Sequence, residues 1–187
     1  MLEQLQQLDQ MVFHFINTTL ANPVTDVLMP VVTDDWLLLA LFAVAVLVML
    51  WKGDRRLRWL VLFSVLTLAL TDQVSSFYLK NWIGRLRPCQ TMTGVHLLVN
   101  CGSGKSMPSS HAANCFGQAI LFGILHTRVR WPLIIFAAVV ALSRVFVGVH
   151  YPGDVLVGTI IGLAIGAVVA VVYLKLPVGK LSPKNTP

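Results

Sequence analysis

Apolar and polar positions along this chain alternate on the scale of whole helices rather than single residues. Five apolar runs, each near the length of a membrane-crossing helix, are separated by short polar segments: 36–51, 57–79, 109–126, 131–148 and 152–174. The first, WLLLALFAVAVLVMLW, carries a tryptophan at each end, as interfacial anchors do. The second is apolar at first and more polar later. The last places Gly158, Gly162 and Gly166 at four-residue spacing, a face that lets another helix approach closely, either inside the bundle or in a dimer. Residues 1–33 read differently. Leu2, Leu5, Leu8, Val12, Phe13, Phe15 and Ile16 recur at helical spacing among Gln, Asp and Asn, which predicts an amphipathic helix on the membrane surface or a shallow re-entrant segment. NPVTD at 22–26 breaks it. The expected fold is therefore an all-α integral membrane protein, a bundle of about five transmembrane helices plus an N-terminal amphipathic interfacial helix. The expected division is 1–33 as the interfacial or re-entrant segment, 34–174 as the transmembrane domain and 175–187 as a basic cytoplasmic tail.

Composition agrees. Mean hydropathy is +0.76, and only 12% of the 187 residues are charged, against roughly 25% in an ordinary soluble domain. The net charge of +6 does not point to nucleic acid, because the basic residues fall in short clusters between apolar runs. Such clusters report topology. KGDRRLR (52–58), HTRVR (126–130) and the tail lysines 175, 180 and 184 share one side of a five-span bundle, whereas the segment before Trp36 holds Asp and Glu but no Lys or Arg. The positive-inside rule puts the basic loops in the cytoplasm. MLEQLQQLDQ has no basic n-region leading into an apolar core, so no cleaved secretory signal is expected, and neither end carries a lipidation motif.

The loop 80–108 departs from that rule. It lies on the outer side yet carries Lys80, Arg85, Arg87 and Lys105. Positive charge kept on the wrong side suggests a negative ligand. Two further polar clusters, MPSSHAAN and SRVFVGVHYPGD, fall on the same face. In KNWIGRLRP, Lys80 and Arg87 are seven residues apart and share one side if the helix continues past Lys80 until Pro88 ends it. Pro108 followed by Ser109 and Ser110 is a helix start whose free N–H groups suit an anion, with His111 in the first turn. Asp154 falls one turn beyond His150. Together Lys80, Arg87 and Arg144 suit the oxygens of a phosphate. His150 can attack phosphorus when neutral, Asp154 can hold its other ring nitrogen, and His111 can protonate the leaving oxygen. No metal or other cofactor is expected, since no Cys/His ligand pattern is present and the cations can meet the transition-state charge.

These three segments, K-x6-R-P, P-S-x-H and S-R-x5-H-x3-D, resemble the signature of the type 2 phosphatidic acid phosphatase (PAP2) family, which shares its site with vanadium haloperoxidases. The resemblance covers roughly residues 34–174. It implies a metal-independent hydrolase of lipid phosphate esters or diphosphates, with a phosphohistidine at His150, Asp154 as its orienter and His111 as acid. It also implies that Lys80, Arg87, Ser109, Ser110 and Arg144 bind phosphate. The third residue of PSSH is often glycine in relatives, and serine here is a mild departure. The expected location is a bacterial cytoplasmic membrane, with the site on the periplasmic or extracellular side, opposite the basic loops. Undecaprenyl diphosphate is the first expectation for the substrate, beside a broad range over phosphatidylglycerophosphate, phosphatidic acid and lipid A phosphate. Partners beyond the bilayer and its lipid are not implied, and oligomeric state is open. Two rival readings are a lipid-to-lipid phosphotransferase, which needs the same residues, and a non-enzymatic lipid transporter, which leaves the His150–Asp154 pair without a task.

Other residues have more ordinary readings. His14, His96 and His126 match no motif and are expected to be solvated or interfacial. Arg85 either faces lipid headgroups or adds to the phosphate site, and the first is the expectation. Asp72, inside the second run, needs a partner, with Gln73, Ser75, Ser76 or a basic residue within reach. Cys115 reads as an inert core residue. Cys89 and Cys101 share the outer loop, where oxidising conditions would favour a disulfide that spacing alone does not establish.

Overall fold

A computed structural model describes residues 2–177 of the chain. Among the described residues all regular structure is helical. Helix α1 (Leu2–His14) runs into a π-helical turn, Phe15–Thr19, and α2 (Pro23–Val32) follows. The NPVTD break is itself a helix start: Asn22 accepts from the Val24 and Thr25 N–H groups, Thr25 Oγ1 accepts from the Asn22 N–H, and Pro23 takes the first helical position. Helix α3 (Asp35–Lys52) is capped by Asp34, and α4 (Arg55–Asp72) by Asp54. Helix α4 continues through a π-helical stretch, Gln73–Leu79, into α5 (Lys80–Ile83). The short α6 (Pro88–Thr91), then α7 (Ser110–Leu125), α8 (Arg130–Phe146) and α9 (Pro152–Lys175) follow.

Among the described residues, four stretches are long and apolar enough to cross a membrane: Asp35–Lys52, Arg55–Thr91 (α4 with its continuation through α5 and α6), Thr127–Phe146 and Pro152–Lys175. The remaining one, α7, has 16 residues and sits at the centre, packed on α9, α8 and α4. The glycine row of α9 serves this internal contact. A Cβ on Gly158 would lie 2.3 Å from the Ser109 carbonyl oxygen, and one on Gly162 2.3 Å from that of Ala113. Helix α3 buries no side chain and leans chiefly on α4.

The basic segments gather at one end of the bundle, where Tyr173 Oη donates to the Arg56 carbonyl (3.0 Å) and Arg130 Nε to that of Gly123 (2.9 Å). The three polar clusters gather at the other end. The helix holding Lys80 does not reach Pro88, contrary to the expectation from spacing. It stops at Ile83, where Gly84 adopts φ 66°, and Pro88 opens α6 instead of ending a helix. A left-handed glycine closes a helix, and a proline has no N–H to lose at a helix start.

The N-terminal segment docks on the polar end. Phe13 is buried edge-on against Tyr151, with ring centroids 5.5 Å apart. Asn17, fully buried, donates to the carbonyls of His96 (2.9 Å) and Phe146 (2.7 Å) and accepts from the His96 N–H (2.8 Å). Leu5, Leu8, Met11 and Phe15 remain exposed. Of the expected basic tail 175–187, everything from residue 178 lies outside the described residues.

Candidate active site

The site is built from three helix ends and one loop. Helix α8 stops because Gly148 adopts φ 85°, and the chain then turns so that the N–H groups of Val149 and His150 both donate to the Arg144 carbonyl (3.2 Å each). This places His150 inside the protein, 1% exposed. Asp154, in the first turn of α9, caps that helix by accepting from the Tyr151 N–H (2.8 Å). Its Oδ2 lies 3.5 Å from His150 Nδ1, at ion-pair range and beyond an ordinary hydrogen bond. Arg144, from the last turn of α8, donates through Nη1 to Thr33 Oγ1 (2.5 Å). Ser109 caps α7, and its N–H donates to the Asp154 carbonyl (3.0 Å), which ties the starts of α7 and α9 together. Lys80 Nζ donates to Ser110 Oγ (2.9 Å). Arg87 Nη1 donates to the Cys101 carbonyl (2.6 Å). Cys101 is disulfide-bonded to Cys89. His111 Nε2 faces both Asp35 Oδ1 (3.1 Å) and the Thr33 carbonyl (3.2 Å).

The structure thus gathers the residues singled out by spacing at one end of the bundle. Among the described residues, three buried side-chain nitrogens lack a protein partner: Arg87 Nε, Arg144 Nε and His150 Nδ1. All three belong to this cluster. Buried donors without partners are costly, so two open guanidinium nitrogens mark a place prepared for oxygens the chain does not itself supply. Burial, reinforced by the Arg144 and Lys80 charges and opposed by Asp154, pushes His150 down to about 4. Its imidazole is neutral at pH 7 and free to act as a nucleophile.

One expectation is overturned. Arg85 does not face headgroups. It turns inward and donates through Nη1 to Asp154 Oδ1 (2.8 Å) and through Nη2 to Asp9 Oδ2 (2.7 Å). Its guanidinium lies over the Tyr151 ring, 3.9 Å from the centroid. Gly84 breaks the helix just before it, which releases Arg85 from the lipid-facing register. Several contributors escaped the sequence reading. Ser106 hydrogen-bonds Asp154 Oδ2, Thr33 holds Arg144, and Asp35 holds His111. The acid-only composition before Trp36 was the available signal for Asp9 and Asp35. Asp72 is partnered by Ser76 Oγ at 2.9 Å. His96 Nε2 pairs with Asp26 Oδ1 (3.0 Å), and His14 contacts Thr18 (3.0 Å).

Below the cluster a cavity of about 630 Å³ runs between α3, α4, α7 and α8. His111 and Asp35 stand at its polar end, and Leu38, Phe42, Leu68 and Phe136 form part of its walls.

Comparison with known proteins agrees with this construction. The sequence profile of the PAP2 superfamily matches residues 58–177, which include all three polar segments. A lipid A 4'-phosphatase of Bacteroides thetaiotaomicron is 33% identical over 175 residues, 87% of this chain and 75% of that protein. The undecaprenyl-diphosphatase BcrC of Bacillus subtilis is 30% identical over 147 residues, 78% of this chain and 73% of that protein. Among solved structures, a PAP2-type phosphatidylglycerolphosphate phosphatase of Bacillus subtilis superimposes with a TM-score of 0.77 over 92% of this chain and 88% of its own. At 24% identity that likeness is one of fold. Motifs, architecture and sequence similarity converge, and the chain belongs to the PAP2 superfamily.

Proposed function

We propose that this protein is a metal-independent lipid phosphate or diphosphate phosphatase acting through a phosphohistidine at His150. The observation that carries the reading is a buried, neutral His150 facing Asp154, amid three cations, two of which hold guanidinium nitrogens with no protein partner. Arg87, Arg144, Lys80 and the Ser109–Ser110 helix start bind the phosphate oxygens. The free ring nitrogen of His150 attacks phosphorus, the bond to the leaving oxygen breaks, and His111 gives that oxygen its proton. Water then attacks the phosphohistidine. His111 takes the proton back, the P–N bond breaks, and inorganic phosphate leaves with His150 neutral again. Asp154 balances the charge that develops on His150.

The apolar cavity ending at His111 accommodates a lipid tail while the headgroup meets the cations. The relatives named above act on lipid A and undecaprenyl diphosphate. The proposed substrate is undecaprenyl diphosphate, or a broad range that includes phosphatidylglycerophosphate, phosphatidic acid and lipid A phosphate. We place five spans in the membrane, counting the central α7, and place 1–33 at the interface, where Leu5, Leu8, Met11 and Phe15 are exposed. The site then opens on the periplasmic side of a bacterial cytoplasmic membrane, opposite the basic loops. The Cys89–Cys101 disulfide at the same end suits an oxidising compartment.

The test is phosphate release by the purified protein in detergent from undecaprenyl diphosphate, phosphatidylglycerophosphate, phosphatidic acid and lipid A, each with EDTA and with His150→Ala as control. Release that survives EDTA and vanishes in the variant supports the reading, and the ranking names the substrate. Release unaffected by His150→Ala would sink it.

A further inference from the structure

The two prongs of Arg85 are both occupied by carboxylates, Asp154 and Asp9. Arg87 and Arg144 each keep a buried nitrogen open, so the three arginines of this end divide into two kinds. Both terminal nitrogens of Arg85 are thus already turned to carboxylates. Asp154 is held from every side: Oδ1 accepts from Arg85, while Oδ2 accepts from the Tyr151 N–H and the Ser106 hydroxyl and faces His150. Asp9 is held as firmly. Its Oδ1 accepts from the Gly153 N–H (2.7 Å) and its Oδ2 from Arg85 (2.7 Å). The approach is close: a Cβ on Gly153 would lie 2.9 Å from Asp9 Oδ2. Asp9 belongs to α1, outside the span of the family match.

We propose that Arg85 and Asp9 are positioning residues: a clamp, closed by the N-terminal helix, that locks the Asp154 carboxylate toward His150 and sets how much of its negative charge His150 feels. This rests on the reading of His150 as nucleophile. The clamp makes an electrostatic statement with a sign. The charged or titratable groups around His150 are Asp154 on α9, Arg144 on α8, Lys80 on α5, Arg87 at the start of α6, and the His111–Asp35 pair from α7 and α3. Arg85 offsets Asp154, and Asp9 in turn offsets Arg85. Removing Arg85 exposes the full Asp154 charge to His150 and favours the imidazolium. Removing the Asp9 charge leaves Arg85 less compensated and disfavours it.

The experiment measures kcat and KM against pH for the full-length protein in detergent, using the fastest substrate of the four-lipid panel. The acid limb of kcat/KM reports loss of the neutral nucleophile. Arg85→Gln is expected to lower kcat by about 10- to 100-fold, leave KM within about twofold and move the acid limb up by about one pH unit. Asp9→Asn is expected to move the limb the other way, by about half a unit. Arg85→Lys, which keeps the charge but not the fork, is expected to return the limb to its wild-type position with kcat only partly recovered. Shifts in the same direction, an unmoved limb, or a rise in KM at constant kcat would each overturn the clamp. Should Arg85→Gln fail to give monodisperse protein, the sign of the Asp9→Asn shift decides. Activity persisting in His150→Ala would instead refute the nucleophile itself, so the two failures are distinguishable.

Discussion

In the proposed reaction His150 must be uncharged to attack phosphorus, yet it must tolerate positive charge once phosphorylated. Burial and neighbouring cations meet the first demand, and Asp154 meets the second. The cost appears in stability. With its value at about 4 in the folded chain against 6.5 for an ordinary histidine, the unfolded chain takes up a proton between those pH values that the folded chain refuses. Stability from this group is therefore whole above pH 6.5 and declines as pH falls towards 4, by on the order of 3 kcal/mol. Thermal unfolding from pH 7 to pH 4 should show that decline, and His150→Ala should flatten it. A second prediction concerns Arg144, whose guanidinium splits between Thr33 and the open side of the site. Arg144→Lys keeps the charge but loses the planar fork, and a loss of at least about tenfold in kcat/KM is expected from steady-state kinetics. Unchanged kinetics would show that a point charge suffices. At this scale the sequence was informative wherever chemistry sits at fixed spacing. It was silent on Arg85, since spacing does not tell whether an arginine just after a helix-ending glycine turns towards lipid or towards a carboxylate 69 residues away.

Helix boundaries followed local signals closely, because Asn22, Asp34, Asp54 and Ser109 each cap the helix they precede. The glycine row of α9 was legible as a close-approach face but not as to its partner, which proves to be α7. Gly162→Ala puts a methyl 2.3 Å from the Ala113 carbonyl oxygen and 2.9 Å from the Gly117 nitrogen, both backbone. Neither can swing aside, so α7 and α9 must separate. A loss of about 1–3 kcal/mol is expected, read as a lower unfolding temperature in detergent. The outer loop is held by a different device. The Cys89–Cys101 bond lies beside Arg87, which donates to the Cys101 carbonyl. Replacing both cysteines by serine frees that carbonyl to move, and a severalfold rise in KM for the lipid phosphate is expected, larger than the change in kcat. An unaltered KM would mean that α6 alone positions Arg87.

For the molecule as a whole, the proposal of five spans with an outward site makes a direct prediction about access. With Cys115, which lines the cavity, replaced by alanine and the other two cysteines bonded to each other, an added cysteine reports its own side of the membrane. Lys105→Cys should react with a membrane-impermeant maleimide in intact cells, whereas Arg128→Cys should react only after permeabilisation. The reverse pattern would invert the protein. The apolar runs, the charge asymmetry between loops and the three chemical signatures are properties of neighbouring residues. Hydrophobic burial and capping act over one or two helix lengths, so the sequence by itself determined the helical class, most of the helix limits and the three motifs that hold the candidate site residues. Tertiary structure alone decided which distant groups meet. Asp9 reaches Arg85 across 76 positions and Thr33 reaches Arg144 across 111. Such contacts arise from the packing of α1 and α2 on the ends of α8 and α9, and packing leaves no periodic trace in the chain. The same packing brings an N-terminal segment expected at the membrane surface to the edge of the candidate active site.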